Sequence, residues 1–210
     1  MEKELQKRIF TSIIIIPLSL FFIIKGSFFF IFFLTIIFFV SLNEWLKIAK
    51  KNELKILGIF FLLFSLYSSY YFRDKEGLEN FLLIITICIS TDLGGYIFGK
   101  LLKGPKLIKI SPKKTYTGMI GGFLLSIIFS YLFILIYKPS LIITNDIIFI
   151  MFVILISLIS QIGDLIISYF KRSSKIKNTG KILPGHGGIL DRVDGMIFVF
   201  PFVFTISILL

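Results

Sequence analysis

The stretch Pro184-Gly185-His186-Gly187-Gly188-Ile189-Leu190-Asp191-Arg192-Val193-Asp194 gathers three glycines, the chain's one histidine, two carboxylates and an arginine. It immediately precedes the last apolar segment. Glycines let backbone N–H groups approach an anion, and Asp191 and Asp194 can hold a cation. If a helix begins near Asp191, these two acids lie three apart and share a face. Arg192 can pair with one of them or contact phosphate. His186, between glycines, is a hydrogen-bonding residue or a ligand. Phosphate with a divalent metal is the chemistry this composition suits.

Three other constellations carry polar chemistry. Thr91-Asp92-Leu93-Gly94-Gly95-Tyr96 lies inside an apolar run. An aspartate there is costly and faces a bundle interior or a water-filled cavity. Ser111-Pro112-Lys113-Lys114-Thr115 precedes a segment opening with Gly118, Gly121 and Gly122. Hydroxyls and lysines ahead of a helix N-terminus make a phosphate cradle, although basic residues at a membrane boundary are also ordinary. Finally, Ser157, Ser160, Gln161, Asp164, Ser168 and Lys171 recur at helical spacing and form one polar face. Such a face must meet protein or water. Asp164 near its end suits a metal, with Lys171 and Arg172 available to phosphate. Helix–helix contact and an ion pathway are the competing uses.

The elements that must position these residues are apolar helices. The 210 residues are 56% hydrophobic, with mean hydropathy +0.95. Runs at 9–24, 28–42, 56–72, 81–98, 119–137, 147–167 and 193–210 approach the ~20 residues that span a bilayer. The expectation is an all-α polytopic bundle of about seven transmembrane helices with two cytoplasmic catalytic loops. It forms one domain over 1–210, with its catalytic part at about 91–210. Strict alternation is absent, which argues against a barrel. The net charge of +11 is no sign of nucleic acid. With seven spans, only Lys25, Arg73, Lys75 and Lys138 fall on one side and the other basic residues on the opposite one. The positive-inside rule then puts the N-terminus in the cytoplasm and the C-terminus outside. Cys88 is alone inside a run, so neither a disulfide framework nor a thiolate–metal motif is present. Glu44, beside Trp45 at the end of the second run, reads as an interfacial anchor.

The segments Ser168-Tyr169-Phe170-Lys171-Arg172, Lys177-Asn178-Thr179-Gly180 and Pro184–Asp194 closely resemble the signature of the phosphatidate cytidylyltransferase (CDP-diacylglycerol synthase) family. Gly163-Asp164, Ser111–Thr115, Asp92–Tyr96, Lys7-Arg8 and Pro17 resemble other blocks of that family in the same order. Three positions depart from its pattern: Asn178 stands where an aspartate is usual, Thr117 where a glutamate is usual, and Leu93 where a threonine is common.

This resemblance implies transfer of CMP from CTP to phosphatidic acid, giving CDP-diacylglycerol and pyrophosphate. It implies Mg²⁺ held by Asp164, Asp191 and Asp194, and a second cation sharing the site. Lys171, Arg172, Lys113, Lys114 and Arg192 would bind triphosphate or lipid phosphate. Ser111, Thr115, Ser168, Asn178 and the Gly187 and Gly188 amides would add hydrogen bonds, Asp92 would line the cavity, and His186 belongs to the same set. Membrane lipids as partners, a bacterial inner (plasma) membrane location, a cytoplasmic active site and a homodimer are further implications. A prenyl-lipid cytidylyltransferase, a lipid-binding relative of weak activity and a transporter using Asp92 and Asp164 stay open beside it. The transporter reading leaves the glycine–histidine stretch without a purpose.

Overall fold

The computed structural model describes residues 2–108, 111, 114–139, 145–185 and 187–209. Lys113 and His186, both expected in the site, lie outside the described residues. Among the described residues, eight helices follow one another: α1 (Glu2–Lys25), α2 (Ser27–Ile48), α3 (Asn52–Lys75), α4 (Leu78–Leu102), α5 (Tyr116–Tyr137), α6 (Asp146–Ser173), α7 (Leu190–Val193) and α8 (Met196–Leu209). The first six are long and apolar enough to cross a membrane. Many of their large apolar side chains are exposed, as hydrocarbon-facing residues are. The run expected as a seventh span is divided. Asp194-Gly195 separates the short α7 from α8, whose 14 residues are shorter than the six long helices.

The chain organises into two compact units. The first comprises Met1–Asp74 with Phe170–Leu210, and the second Lys75–Tyr169. In the first unit, α1 and α2 form a hairpin around Gly26, whose φ of 65° suits glycine. Carbonyls at the end of α1 lack helical partners. Arg73 supplies them, donating from Nε to Ile23 O at 3.1 Å and from Nη2 to Ile24 O at 3.4 Å. Aromatic pairs join α3 to α8, among them Phe61–Phe198 and Tyr71–Phe204, with centroids 4.7 and 5.0 Å apart.

The second unit is held by backbone approach. A Cβ on Gly94 of α4 would lie 2.2 Å from Gly121 O of α5, and one on Gly118 would lie 2.7 Å from Gly95 O. Small residues allow this contact between apolar helices, where burial from water supplies no drive. The α6 stripe faces protein: Ser157 and Ser160 are buried, and Ser157 Oγ accepts from Thr91 Oγ1 at 2.7 Å.

Candidate active site

In the second unit, the segment before α5 is shaped by backbone pairing. Leu107 N–H donates to Lys114 O at 2.8 Å, Tyr116 N–H to Pro105 O at 3.0 Å, and Lys114 N–H to Ser111 O at 3.0 Å. Thr115 is the N-cap of α5, its hydroxyl accepting from Gly118 N–H at 3.1 Å. Thr117 fills a role of its own, pairing hydroxyl to hydroxyl with Thr115 at 3.0 Å and accepting from Gly104 N–H at 3.3 Å. These bonds aim Lys114 at α6. Its Nζ lies 2.5 Å from Asp164 Oδ2, and both side chains keep about a quarter of their surface open, 25% and 28%. Ser168 Oγ donates to Asp164 Oδ1 at 3.2 Å.

A cavity of about 220 Å³ opens beside this pair, lined by Asp92, Lys114, Thr115 and Asp164 together with Thr91, Tyr96 and Gln161. Four of the expected residues are therefore brought together. Ser111 contributes its carbonyl to the turn and is not among the lining groups. Carboxylate, amide and hydroxyl oxygens beside a lysine can receive a phosphate and its counter-cation.

In the first unit, Lys171 sits in the last turn of α6 and donates to Asp191 Oδ1 at 2.7 Å. The other oxygen, Asp191 Oδ2, accepts from Thr179 N–H at 2.9 Å and Gly188 N–H at 3.1 Å. Burial by itself raises the Asp191 carboxyl. The Lys171 hydrogen bond and charge, with the two backbone donors, outweigh it and hold the group below its ordinary value. Gly187 has φ 93°, and a Cβ there would meet Asp191 Oδ2 at 2.9 Å and Asn178 Cβ at 3.2 Å. Leu183 and Gly187 exchange two backbone hydrogen bonds of 3.0 and 3.1 Å, closing the tip of the loop. Lys171, Asn178, Gly187, Gly188 and Asp191 thus share one loop neighbourhood. Arg172 is spent on Ile176 O at 3.0 Å, Arg192 is exposed, and buried Asp194 accepts from Gly195 N–H at 3.0 Å.

Glu44 corrects the sequence reading. It is no interfacial anchor: it is 1% exposed and bound to the signature loop. Its Oε2 accepts from the Thr179 hydroxyl at 2.6 Å and Leu190 N–H at 2.8 Å, and its Oε1 from Ile189 N–H at 3.1 Å. The signal that could have found it was a carboxylate at the end of a long apolar run, where ionisable residues are expensive.

No group of three or more His, Cys, Asp or Glu side chains that could hold a metal occurs among the described residues. Mg²⁺ needs only one or two protein carboxylates beside waters and substrate phosphates. The oxygen-rich cavity wall around Asp164 and Asp92 fits that requirement.

Comparison with known proteins supports the same chemistry. Residues 54–210 match the family model described as the cytidylyltransferase family. A phosphatidate cytidylyltransferase of Staphylococcus haemolyticus is 37% identical over 73% of this chain and 61% of its own length. One from Rickettsia bellii is 36% identical over 79% of this chain and 74% of its own length. One from Rickettsia felis is 33% identical over 99% of this chain and 94% of its own length. The chain therefore spans less than two thirds of the staphylococcal relative and nearly all of the latter rickettsial one. With the match covering both the Lys114–Asp164 cavity and the Lys171–Asp191 loop, the chain belongs to the cytidylyltransferase family.

Proposed function

We propose that this protein is a phosphatidate cytidylyltransferase, a nucleotidyltransferase of phospholipid biosynthesis. The observation that carries the reading is the open Lys114–Asp164 pair beside a cavity that Asp92 and Thr115 also line, within a chain 33–37% identical to proteins of that name. A phosphate oxygen of phosphatidic acid attacks the α-phosphorus of CTP. The α–β phosphoanhydride bond breaks, pyrophosphate leaves, and CDP-diacylglycerol forms. Both substrates are anionic, so positioning and charge neutralisation matter more than a protein nucleophile.

Lys114 neutralises a phosphate group as it exchanges its Asp164 contact for substrate. Lys171, with Lys113, Arg172 and Arg192, supplies further positive charge. Ser111, Thr115, Ser168, Asn178 and the amides of Gly187 and Gly188 are hydrogen-bonding candidates, and His186 belongs with the loop. Mg²⁺, when bound, supplies charge neutralisation on the phosphates and the leaving pyrophosphate. Asp164 is the residue best suited to hold it, with Asp92 on the same cavity wall. Asp191 and Asp194 are the further proposed ligands, and a cation at Asp191 has to displace the Lys171 ammonium. A second cation belongs to the same proposal.

The protein lies in a bacterial plasma membrane with acyl chains kept in the bilayer. The N-terminus and active site are cytoplasmic, and two copies form a homodimer. The test is Mg²⁺-dependent conversion of radiolabelled CTP and phosphatidate by purified protein in detergent, with UTP and ATP as controls. CDP-diacylglycerol formed only with the cytidine nucleotide supports the reading. Product with a polyprenyl phosphate and none with phosphatidate would move the assignment to a prenyl-lipid acceptor.

A further inference from the structure

Glu44 raises a question that the reaction itself does not answer. A carboxylate removed from water is costly unless its lone pairs are filled. Here all three donors that fill them belong to the signature loop: the Thr179 hydroxyl and the Ile189 and Leu190 amides. The loop is shaped around the carboxylate in return. A Cβ on Gly188 would fall 2.2 Å from Glu44 Oε2, and one on Gly180 would fall 2.4 Å from Glu44 Oε1. Gly180 therefore leaves room for Glu44, and Gly188 for both Glu44 and the Thr179 hydroxyl, which its Cβ would meet at 2.1 Å.

The donors also alternate with the groups that orient Asp191. Thr179 gives its hydroxyl to Glu44 and its N–H to Asp191. Gly188 gives its N–H to Asp191, and the next two amides go to Glu44. The two carboxylates thus grip the same two chain segments from opposite ends. Two more side chains hold the tip of the loop. Arg8 Nε donates to Gly185 O at 2.8 Å, and Thr11 Oγ1 donates to Pro184 O at 3.0 Å. Arg8, Thr11 and Glu44 all precede residue 54, where the family match begins.

We propose that Glu44 is a positioning residue for the transfer reaction. It clasps the Thr179 and Ile189–Leu190 segments together and thereby fixes Asp191 and its partner Lys171 in their working geometry. The catalytic part of the chain accordingly depends on the N-terminal helices, which are more than membrane anchors. The inference rests on the cytidylyltransferase reading for its effect on rate, but not for its effect on the loop.

Glutamine at position 44 keeps the shape and fails the chemistry. Each carboxylate oxygen receives a backbone N–H, so an amide NH₂ in either orientation meets a donor. Glu44→Gln in the full chain should lower kcat roughly tenfold or more while KM for CTP moves less than about threefold. Hydrogen exchange at the Thr179 and Gly188 amides, which bond to Asp191 and not to Glu44, should speed up. Thr179→Val, a gentler variant should Glu44→Gln fold poorly, should lower kcat in the same sense, and Thr179→Ser should recover most of the loss. Combining Glu44→Gln with Thr179→Val should cost less than the product of the single effects, because both remove one contact. Wild-type kcat and wild-type exchange in a folded Glu44→Gln protein would overturn the clasp. Equal losses in Thr179→Val and Thr179→Ser would do the same. Absence of product from the wild type would overturn the functional reading alone, and the exchange measurement judges the clasp in either case.

Discussion

Among the described residues, Lys171–Asp191 in the first unit and Lys114–Asp164 in the second are lysine–aspartate pairs of different build. Lys171–Asp191 is closed: its side chains are 10% and 6% exposed, and two backbone amides complete the Asp191 carboxylate. Lys114–Asp164 is open, with side chains 25% and 28% exposed and a cavity beside it. A buried pair with satisfied lone pairs holds a loop in one geometry, and removing one partner strands the other charge. An open pair loses little when water or substrate intervenes. The same two residue types therefore form a buried, fully bonded pair in one place and an open pair beside a cavity in the other.

The largest effect is expected on the closed pair. Asp191→Ala should lower stability by about 3–5 kcal/mol, because Lys171 is left buried and unpaired. Transfer activity should fall with it. A lowered melting midpoint in detergent, together with faster exchange at the Thr179 amide, would mark the closed pair as a fastener of the loop. An unchanged midpoint would erase the distinction between the pairs.

Asp164→Asn sharpens the comparison from the other side. Activity should drop ~100-fold or more, since several kcal/mol of charge stabilisation is lost at the proposed phosphate site. The melting midpoint should stay close to wild type. Radiolabelled product formation read beside a melting curve separates the two effects, and a midpoint that fell as far as in Asp191→Ala would make the open pair structural as well.

Gly94→Ala should cost about 1–3 kcal/mol, because its Cβ would press on the Gly121 carbonyl and part α4 from α5. Activity should decline with the altered cavity wall, while exchange in the Thr179–Asp191 loop remains that of the wild type. Melting and exchange measured on one preparation check both halves.

The smallest effect concerns pH. The Asp191 carboxyl is held below its ordinary 3.8. A group lowered on folding stabilises at pH above its unfolded value, and that contribution fades as pH falls through the lowered one. The melting difference between wild type and Asp191→Ala should therefore be flat from about pH 8 to about pH 5 and shrink only below about pH 4. Melting curves across that range test it, and a midpoint difference that narrowed near neutrality would contradict the direction of the shift.

Much of this was legible in the sequence, for local reasons. Apolar runs near the bilayer length located the six long helices, and helical spacing placed Ser157, Gln161, Asp164 and Ser168 on one face. Gly94, beside Asp92 in the sequence, delivers a close approach to Gly121 of the next helix. What escaped depends on chain-distant partners. The acid spacing around Asp191 is visible locally, whereas its bond to Lys171 spans 20 residues and had no local sign. Glu44 lies 135 residues from Thr179, so nothing beside it announced a partner, and the neighbouring tryptophan suggested a membrane boundary instead. The division of the last apolar run at Asp194-Gly195 was missed because hydropathy averages across a single turn.

That tryptophan has a use of its own. Trp45 is the only one in the chain, adjacent in sequence to Glu44. Its ring packs edge-on against Phe170, with centroids 4.8 Å apart, and its indole N–H donates to Leu54 O at 3.1 Å. The protein thus carries a single indole, selectively excitable beyond the tyrosine band, at the root of its signature loop, so ligand titrations can be followed optically without attaching a label.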